Sequence, residues 1–209
     1  DYTHYLSRDT VQFLQENVTK KMQFDNTYYQ QDWYLSAVNM YSILPVWDVS
    51  LSVDFQYNKL NAVMRGVGTP FTFPQRYTTW AALATALNLG KWKLQADVLG
   101  TFVIEKVRNN VEAPDKSEFS PALIVGYKPF SNQDLNLRAF YKRIFRLPTF
   151  NDLYYAQIGF SQLNPEFTNQ FNIGGSYQKT FKTGMIDRIA LQMDVYYAAI
   201  TDKIIAAPT

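Results

Sequence analysis

Between Val49 and Asn58 the side chains alternate without exception. Val49, Leu51, Val53, Phe55 and Tyr57 are apolar or aromatic, and Ser50, Ser52, Asp54, Gln56 and Asn58 are polar. Such a period leaves one local structure open, an extended strand with a single greasy face. The pattern returns from Ile189 to Ala199, where Ile189, Leu191, Met193, Val195, Tyr197 and Ala199 share one face and Gln192 and Asp194 stand on the other. Further copies lie between. Trp92, Leu94, Ala96 and Val98 oppose Lys93, Gln95 and Asp97, and Phe119, Pro121, Leu123, Val125 and Tyr127 oppose Ser120, Gly126 and Lys128. Leu135, Leu137, Ala139 and Tyr141 oppose Asn136, Arg138 and Lys142, and Phe171, Ile173 and Tyr177 oppose Gln170, Asn172, Ser176 and Gln178. Two weaker segments, Trp33 to Leu44 and Tyr77 to Leu89, complete about eight strands of roughly ten residues, with a partial ninth near Tyr2 to Leu6.

The links alternate in length. Short ones fall at Pro45 to Asp48, Gly90-Lys91, Phe130 to Asp134 and, slightly longer, Lys179 to Asp187. Long ones fall at Ser7 to Gln31, Leu60 to Arg76, Val107 to Glu118 and Arg146 to Phe167. A soluble sandwich has no reason to place every long loop at one end. An outer-membrane barrel has one, because its turns are tight on one side of the bilayer and its loops long on the other. Strands of about 9 to 11 tilted residues also cross a bilayer. Gln12 to Lys21 is expected to form a short helical turn within the first long loop.

Composition agrees. Charged residues are 18% of the 209, below the roughly 25% of soluble domains, while 15 Tyr, 15 Phe and 4 Trp make 16% aromatic. Trp33, Trp47, Tyr57, Tyr77, Trp92, Phe119, Tyr127, Tyr141, Phe171 and Tyr197 sit near strand ends on apolar faces, where girdle residues meet lipid headgroups. The longest charge-free stretches, Trp33 to Trp47 and Tyr77 to Gly90, fall short of an apolar membrane helix. The residues Asp1-Tyr2-Thr3-His4 show no signal-peptide pattern.

Catalytic and metal chemistry find little footing. There is no cysteine, one histidine (His4), no glycine-rich phosphate loop and no Gly-x-Ser-x-Gly elbow. Asp25 and Asp32 flank a Tyr-rich piece that could present oxygens to calcium, but their spacing is not diagnostic. A formal charge of +2 gives no nucleic-acid footprint. No cofactor and no metal are expected.

One segment carries more information. Phe145-Arg146-Leu147-Pro148-Thr149-Phe150-Asn151-Asp152-Leu153-Tyr154, followed by Asn164-Pro165-Glu166, closely resembles the barrel of TonB-dependent outer-membrane receptors. Phe171-Asn172-Ile173-Gly174-Gly175 looks like the returning strand of that family, and Val195-Tyr196-Tyr197 through Asp202-Lys203-Ile204 like its next outward strand. The second box is contracted relative to the family pattern. The resemblance covers Leu135 to Ile205; residues before it match by pattern alone.

The resemblance implies an all-β antiparallel meander of about nine strands from a transmembrane β-barrel, with short periplasmic turns and long extracellular loops. Residues 1–209 would be a partial barrel domain without the plug. Its partners would be the remaining strands and plug of the same receptor, outer-membrane lipid, the energy-coupling TonB complex acting through other segments, and a large small-molecule ligand. The place would be the bacterial outer membrane. The function would be import of a scarce ligand, with cobalamin or an iron siderophore ahead of haem, because Thr149 to Leu163 lacks the histidine of haem importers, and ahead of glycans because the loops are moderate. Asn151, Asp152, Tyr154 and Tyr155 are the expected ligand-facing residues, while Arg146, Pro148, Asn164, Pro165 and Glu166 either shape the loop or meet ligand. Two alternatives stay open: a soluble all-β module binding a ligand or carbohydrate, and a barrel enzyme, for which the chain lacks a Ser/His or Asp/His pair.

Overall fold

A computed structural model describes residues 2–15, 18–65, 71–154, 159–181 and 187–205. They form a nine-stranded antiparallel sheet in which every strand pairs with its sequence neighbours: β1 (Tyr2–Gln15), β2 (Val18–Leu44), β3 (Trp47–Arg65), β4 (Gln75–Leu89), β5 (Trp92–Lys106), β6 (Lys116–Tyr127), β7 (Asp134–Arg146), β8 (Glu166–Thr180) and β9 (Arg188–Thr201). One short helix, α1 (Phe150–Tyr154), interrupts the link between β7 and β8. Among the described residues no helix is long and apolar enough to cross a membrane.

The first hairpin departs from expectation. Within the expected loop Ser7 to Gln31, residues 7–15 and 18–31 are strand, paired from Tyr2↔Gln31 to Gln15↔Val18. The expected helical turn at Gln12 to Lys21 is likewise extended at Gln12–Gln15 and Val18–Lys21, with residues 16 and 17 outside the description. Gln31 pairs with Lys59, which pairs with Gln75 at the start of β4, so the ribbon rises beyond the level where β4 begins. A strand there needs no continuous greasy face, and its weak alternation hid it from a search for membrane-crossing periodicity. β3 likewise runs on to Arg65, and β6 starts at Lys116. Strands of 12 to 27 residues therefore replace the expected ten.

Polarity across the wall is inverted relative to a soluble sheet. Leu51, Val53 and Phe55 are 48%, 44% and 39% exposed, while Ser52, Asp54 and Gln56 between them are half-buried. Register carries this from strand to strand. Gln56 aligns with Thr78 and Val103, and Asp54 with Trp80 and Thr101; Thr78, Val103 and Thr101 are all buried. Apolar rows thus face outward, as lipid requires, and the rows that face in are mainly polar, with Trp80 and Val103 among them.

Aromatic pairs mark both borders of the outward face. At the short-turn end Trp92 stacks on Tyr127 with centroids 4.2 Å apart, and the Trp47 indole donates to Thr85 Oγ1 at 2.8 Å. At the long-loop end Tyr57 packs on Tyr77, and Tyr141 on Phe171, each at 4.9 Å. Trp47 and Tyr57 lie ten residues apart on one strand, a rise of about 33 Å that a tilt near 40° reduces to about 25 Å. That is the height of a barrel's apolar band. Gly90 serves the tight β4–β5 turn with a left-handed φ of 64°.

Gly174 has a different task. Arg138, Gly174 and Asp194 are register partners across β7, β8 and β9, and the outer two form an ion pair over the glycine, Arg138 Nη2 to Asp194 Oδ2 at 2.6 Å and Nε to Oδ1 at 3.1 Å. A methyl group at 174 would run into the Asp194 carboxylate. The missing side chain is what lets charges on non-adjacent strands meet.

Candidate functional site: the loop box at the long-loop end

The motif residues gather into one folded unit. Thr149 caps α1: its N–H and hydroxyl both donate to Asp152 Oδ2, at 2.8 and 2.9 Å, and the Asp152 N–H returns to Thr149 Oγ1 at 3.2 Å. This reciprocal pattern satisfies two donors at the helix start, a capping box with Asp in the place usual for Glu. The Leu153 N–H then donates to Thr149 O at 3.1 Å, and the Phe160 N–H to Asp152 O at 2.9 Å. Asp152 thus holds the loop through Oδ2 and its backbone.

Tyr154 turns inward. It is 8% exposed and packs with Ala113 and Leu153 in a small apolar cluster that Val107, Phe150 and Leu163 border. Its hydroxyl accepts the Ala113 N–H at 3.1 Å, so the β7–β8 box is bonded to the β5–β6 loop. Burial raises the Tyr154 phenol above its ordinary value, against the smaller opposing effect of the Ala113 N–H.

Arg146 and Glu166 close the base of the box. They are register partners at the ends of β7 and β8, with Nη1 3.2 Å from Oε2, and the same carboxylate oxygen accepts the Ile204 N–H at 3.1 Å. Of the two roles open from sequence, pairing across the loop is the one the geometry forms. Pro148 and Pro165 are buried, whereas Asn151 and Asn164 are exposed. Tyr155 lies outside the described residues.

Sequence reasoning missed Arg76, which joins this box to the wall. It stands in the row Asn58–Arg76–Glu105 at the start of β4. Its Nε and Nη2 both lie 2.5 Å from Glu105 Oε1, its Nη2 donates to Pro148 O at 2.8 Å, and its guanidinium lies over the Phe150 ring at 5.0 Å. Both charged side chains are almost wholly buried, so removing one partner would cost about 3 to 5 kcal/mol. Glu105 Oε2 has no partner among the described residues. No local pattern announces such a residue, because Glu105 and Pro148 are distant in sequence and only strand register aligns them.

The neighbouring loops complete the unit. The Arg108 N–H donates to Thr72 O at 3.1 Å, Asn109 Nδ2 to Phe71 O at 3.2 Å, and the Glu105 N–H to Asp115 Oδ1 at 3.1 Å. Phe71 packs edge-on against Tyr28 of β2 at 5.8 Å. Loops from three connections are thus knitted together at one end. Asp32, considered above for calcium, accepts from Gln30 and Asn58, and among the described residues no three metal-type side chains cluster.

An inverted nine-stranded wall, bordered by aromatic rows and carrying its long loops at one end, defines the wall of an outer-membrane-type β-barrel. The family described as TonB dependent receptor-like, beta-barrel matches residues 1–209, and the chain belongs to that family of receptors and transporters. Its members are bacterial outer-membrane proteins rather than a class of enzymes. Among solved structures it is similar to a double mutant of the Serratia marcescens hemophore receptor HasR in complex with its hemophore HasA and heme, with a TM-score of 0.64 and 12% identity. That match covers 96% of this chain and 37% of HasR, so the chain spans little more than a third of its solved relative. At this identity the likeness speaks for the fold. No curated protein matches the chain.

Proposed function

We propose that the chain is a section of the barrel of a bacterial outer-membrane receptor that imports a scarce, large ligand. The observation carrying this reading is the inverted wall with its loops gathered at one end: apolar rows for lipid, a polar lining for passage, and a folded recognition unit at the mouth. β1 and β9 each have one partner among the described residues. Open edges in lipid are prohibitive, so further strands of the same receptor close the barrel, and a plug and the energy-coupling TonB complex act with it.

Recognition falls to the exposed polar groups of the box. Asn151 and Asn164 offer hydrogen bonds, and the motif adds the ring of Tyr155, while Arg146, Pro148, Asp152, Tyr154, Pro165 and Glu166 hold the shape. The absence of histidine between Thr149 and Leu163 supports cobalamin or an iron siderophore ahead of haem, and the moderate loops place glycans behind. HasR is a hemophore receptor solved with heme, but at 12% identity no ligand is carried over to this chain.

The test is uptake by a host lacking its own importers and expressing the whole receptor. Labelled cyanocobalamin or a ferric siderophore should accumulate only with energy coupling intact, and Asn151→Ala with Asn164→Ala should reduce binding without loss of the barrel. A chain that fractionates as a monodisperse protein in detergent-free buffer would sink the membrane reading and restore the soluble module.

A further inference from the structure

We propose that Arg76 is a positioning residue: it sets the β7–β8 loop box against the ends of β4 and β5, so that Asn151 and Asn164 meet ligand in one arrangement although Arg76 touches none. The inference rests on the receptor reading above.

The contacts form a closed circuit. From β4, Arg76 reaches the box through Pro148 O and the Phe150 ring. The box reaches the β5–β6 loop through the Tyr154 hydroxyl and the Ala113 N–H. That loop returns to β5 where Asp115 accepts the Glu105 N–H, and Glu105 returns to Arg76 through its carboxylate. Shifting the box therefore breaks several contacts together, and Arg76 takes part in two of them, with Pro148 O and the Phe150 ring. The tie between Arg146 and Glu166 joins the two strand ends at the base of the box; those of Arg76 add a third point of attachment, at Pro148 and Phe150 on its outgoing arm.

The shape of the guanidinium matters beyond its charge. One planar fork meets a carboxylate and a carbonyl while its face lies on an aromatic ring. A lysine ammonium would neutralise Glu105 but could not hold Pro148 O and cover Phe150 in the same pose. Charge compensation and loop placement are therefore separable by one conservative substitution.

The experiment uses the whole receptor in outer-membrane vesicles, freed of any cysteine outside this chain, with nitroxide labels on Gln162→Cys and Lys93→Cys, both exposed positions in a chain that itself has no cysteine. The background should give a narrow distance distribution. Arg76→Lys should broaden or shift it while heat-modifiability shows an assembled barrel, and should weaken binding of cyanocobalamin or a ferric catecholate, whichever the unmodified receptor binds, by about tenfold or more. If the Arg76→Lys distribution superimposes on the background, charge alone suffices and the positioning role is overturned. It is also overturned if Arg76→Lys fails to assemble, since the residue would then build the wall. Should neither probe bind the unmodified receptor, the import reading fails, and the distance measurement still decides the role of Arg76.

Discussion

Tyr154→Phe deletes one oxygen from the loop cluster and leaves the ring in place. The lost atom accepts the Ala113 N–H at 3.1 Å, and Ala113 is 4% exposed, so the amide is left buried with no partner to replace the phenol. An orphaned buried donor costs about 1 to 3 kcal/mol, which makes opening of this cluster about 5 to 150 times more frequent. The assay is amide hydrogen exchange on the receptor in vesicles. Ala113 should lose protection by that factor, together with Leu153, whose N–H bonds Thr149 O within the same unit. Tyr154→Ala also removes the ring, adding a loss of the size seen for buried aromatics, about 3 to 5 kcal/mol, and should expose the whole cluster. The phenol supplies an independent signature in pH. Burial raises its pKa above the ordinary 10.0, so the folded loop holds the proton more tightly than the opened loop does. That stabilisation is complete below pH 10 and is lost as pH rises through the folded value. Loop protection in the parent should therefore fall above pH 10, and the Phe variant should lack that step. If Ala113 exchanges equally fast in parent and Phe variant at neutral pH, the hydrogen bond does not hold the loops together and the argument fails.

Other tests address the wall and the box. Leu191→Arg places a charge on the outward row of β9 and should destabilise by about 2 to 4 kcal/mol near mid-bilayer, read by denaturant titration in vesicles. Gly174→Ala should displace Asp194 and break its pair with Arg138, so that adding Asp194→Asn to the Ala variant brings no further loss in a double-mutant cycle. Thr149→Ala removes the cap of α1 and should lower local stability by about 0.5 to 2 kcal/mol, seen as faster protease nicking between residues 147 and 165. Single cysteines at Asn110 and Asn151 should react with impermeant reagent on intact cells, while those at Asp48, Lys91 and Asn132 should not; equal reactivity would contradict the sidedness.

How much was legible depended on whether lipid constrained the residues. Val49 to Asn58 and Ile189 to Ala199 could be read because the bilayer demands a greasy residue at every second position. The β1–β2 ribbon carries no such signal because, beyond that level, pairing is enforced by backbone hydrogen bonds that any sequence can make. The pairing of Arg146 with Glu166 could be foreseen from a motif flanked by two strands. Tyr154 could not be placed the same way: an aromatic in a loop motif reads equally as a stacking surface or a core residue, and its partner Ala113 carries no sequence signal. Arg76 stayed hidden because its partners come from three separate segments.

The unbroken strand order has a kinetic consequence. Because each strand pairs only with those before and after it, no pairing has to wait for a distant part of the chain. The widest gap to be bridged, from Arg146 to Glu166, is 20 residues, and closing it costs only about 1 to 1.5 kcal/mol of chain entropy more than closing a tight turn. The sheet can grow as a zipper, one hairpin at a time, with each finished edge serving as the template for the next. The Arg138–Asp194 bridge is an exception, since it spans β8 and forms only after β7, β8 and β9 are all in register. It would act as a late proofreading contact, because a slip of one residue in β9 moves Asp194 to the opposite face.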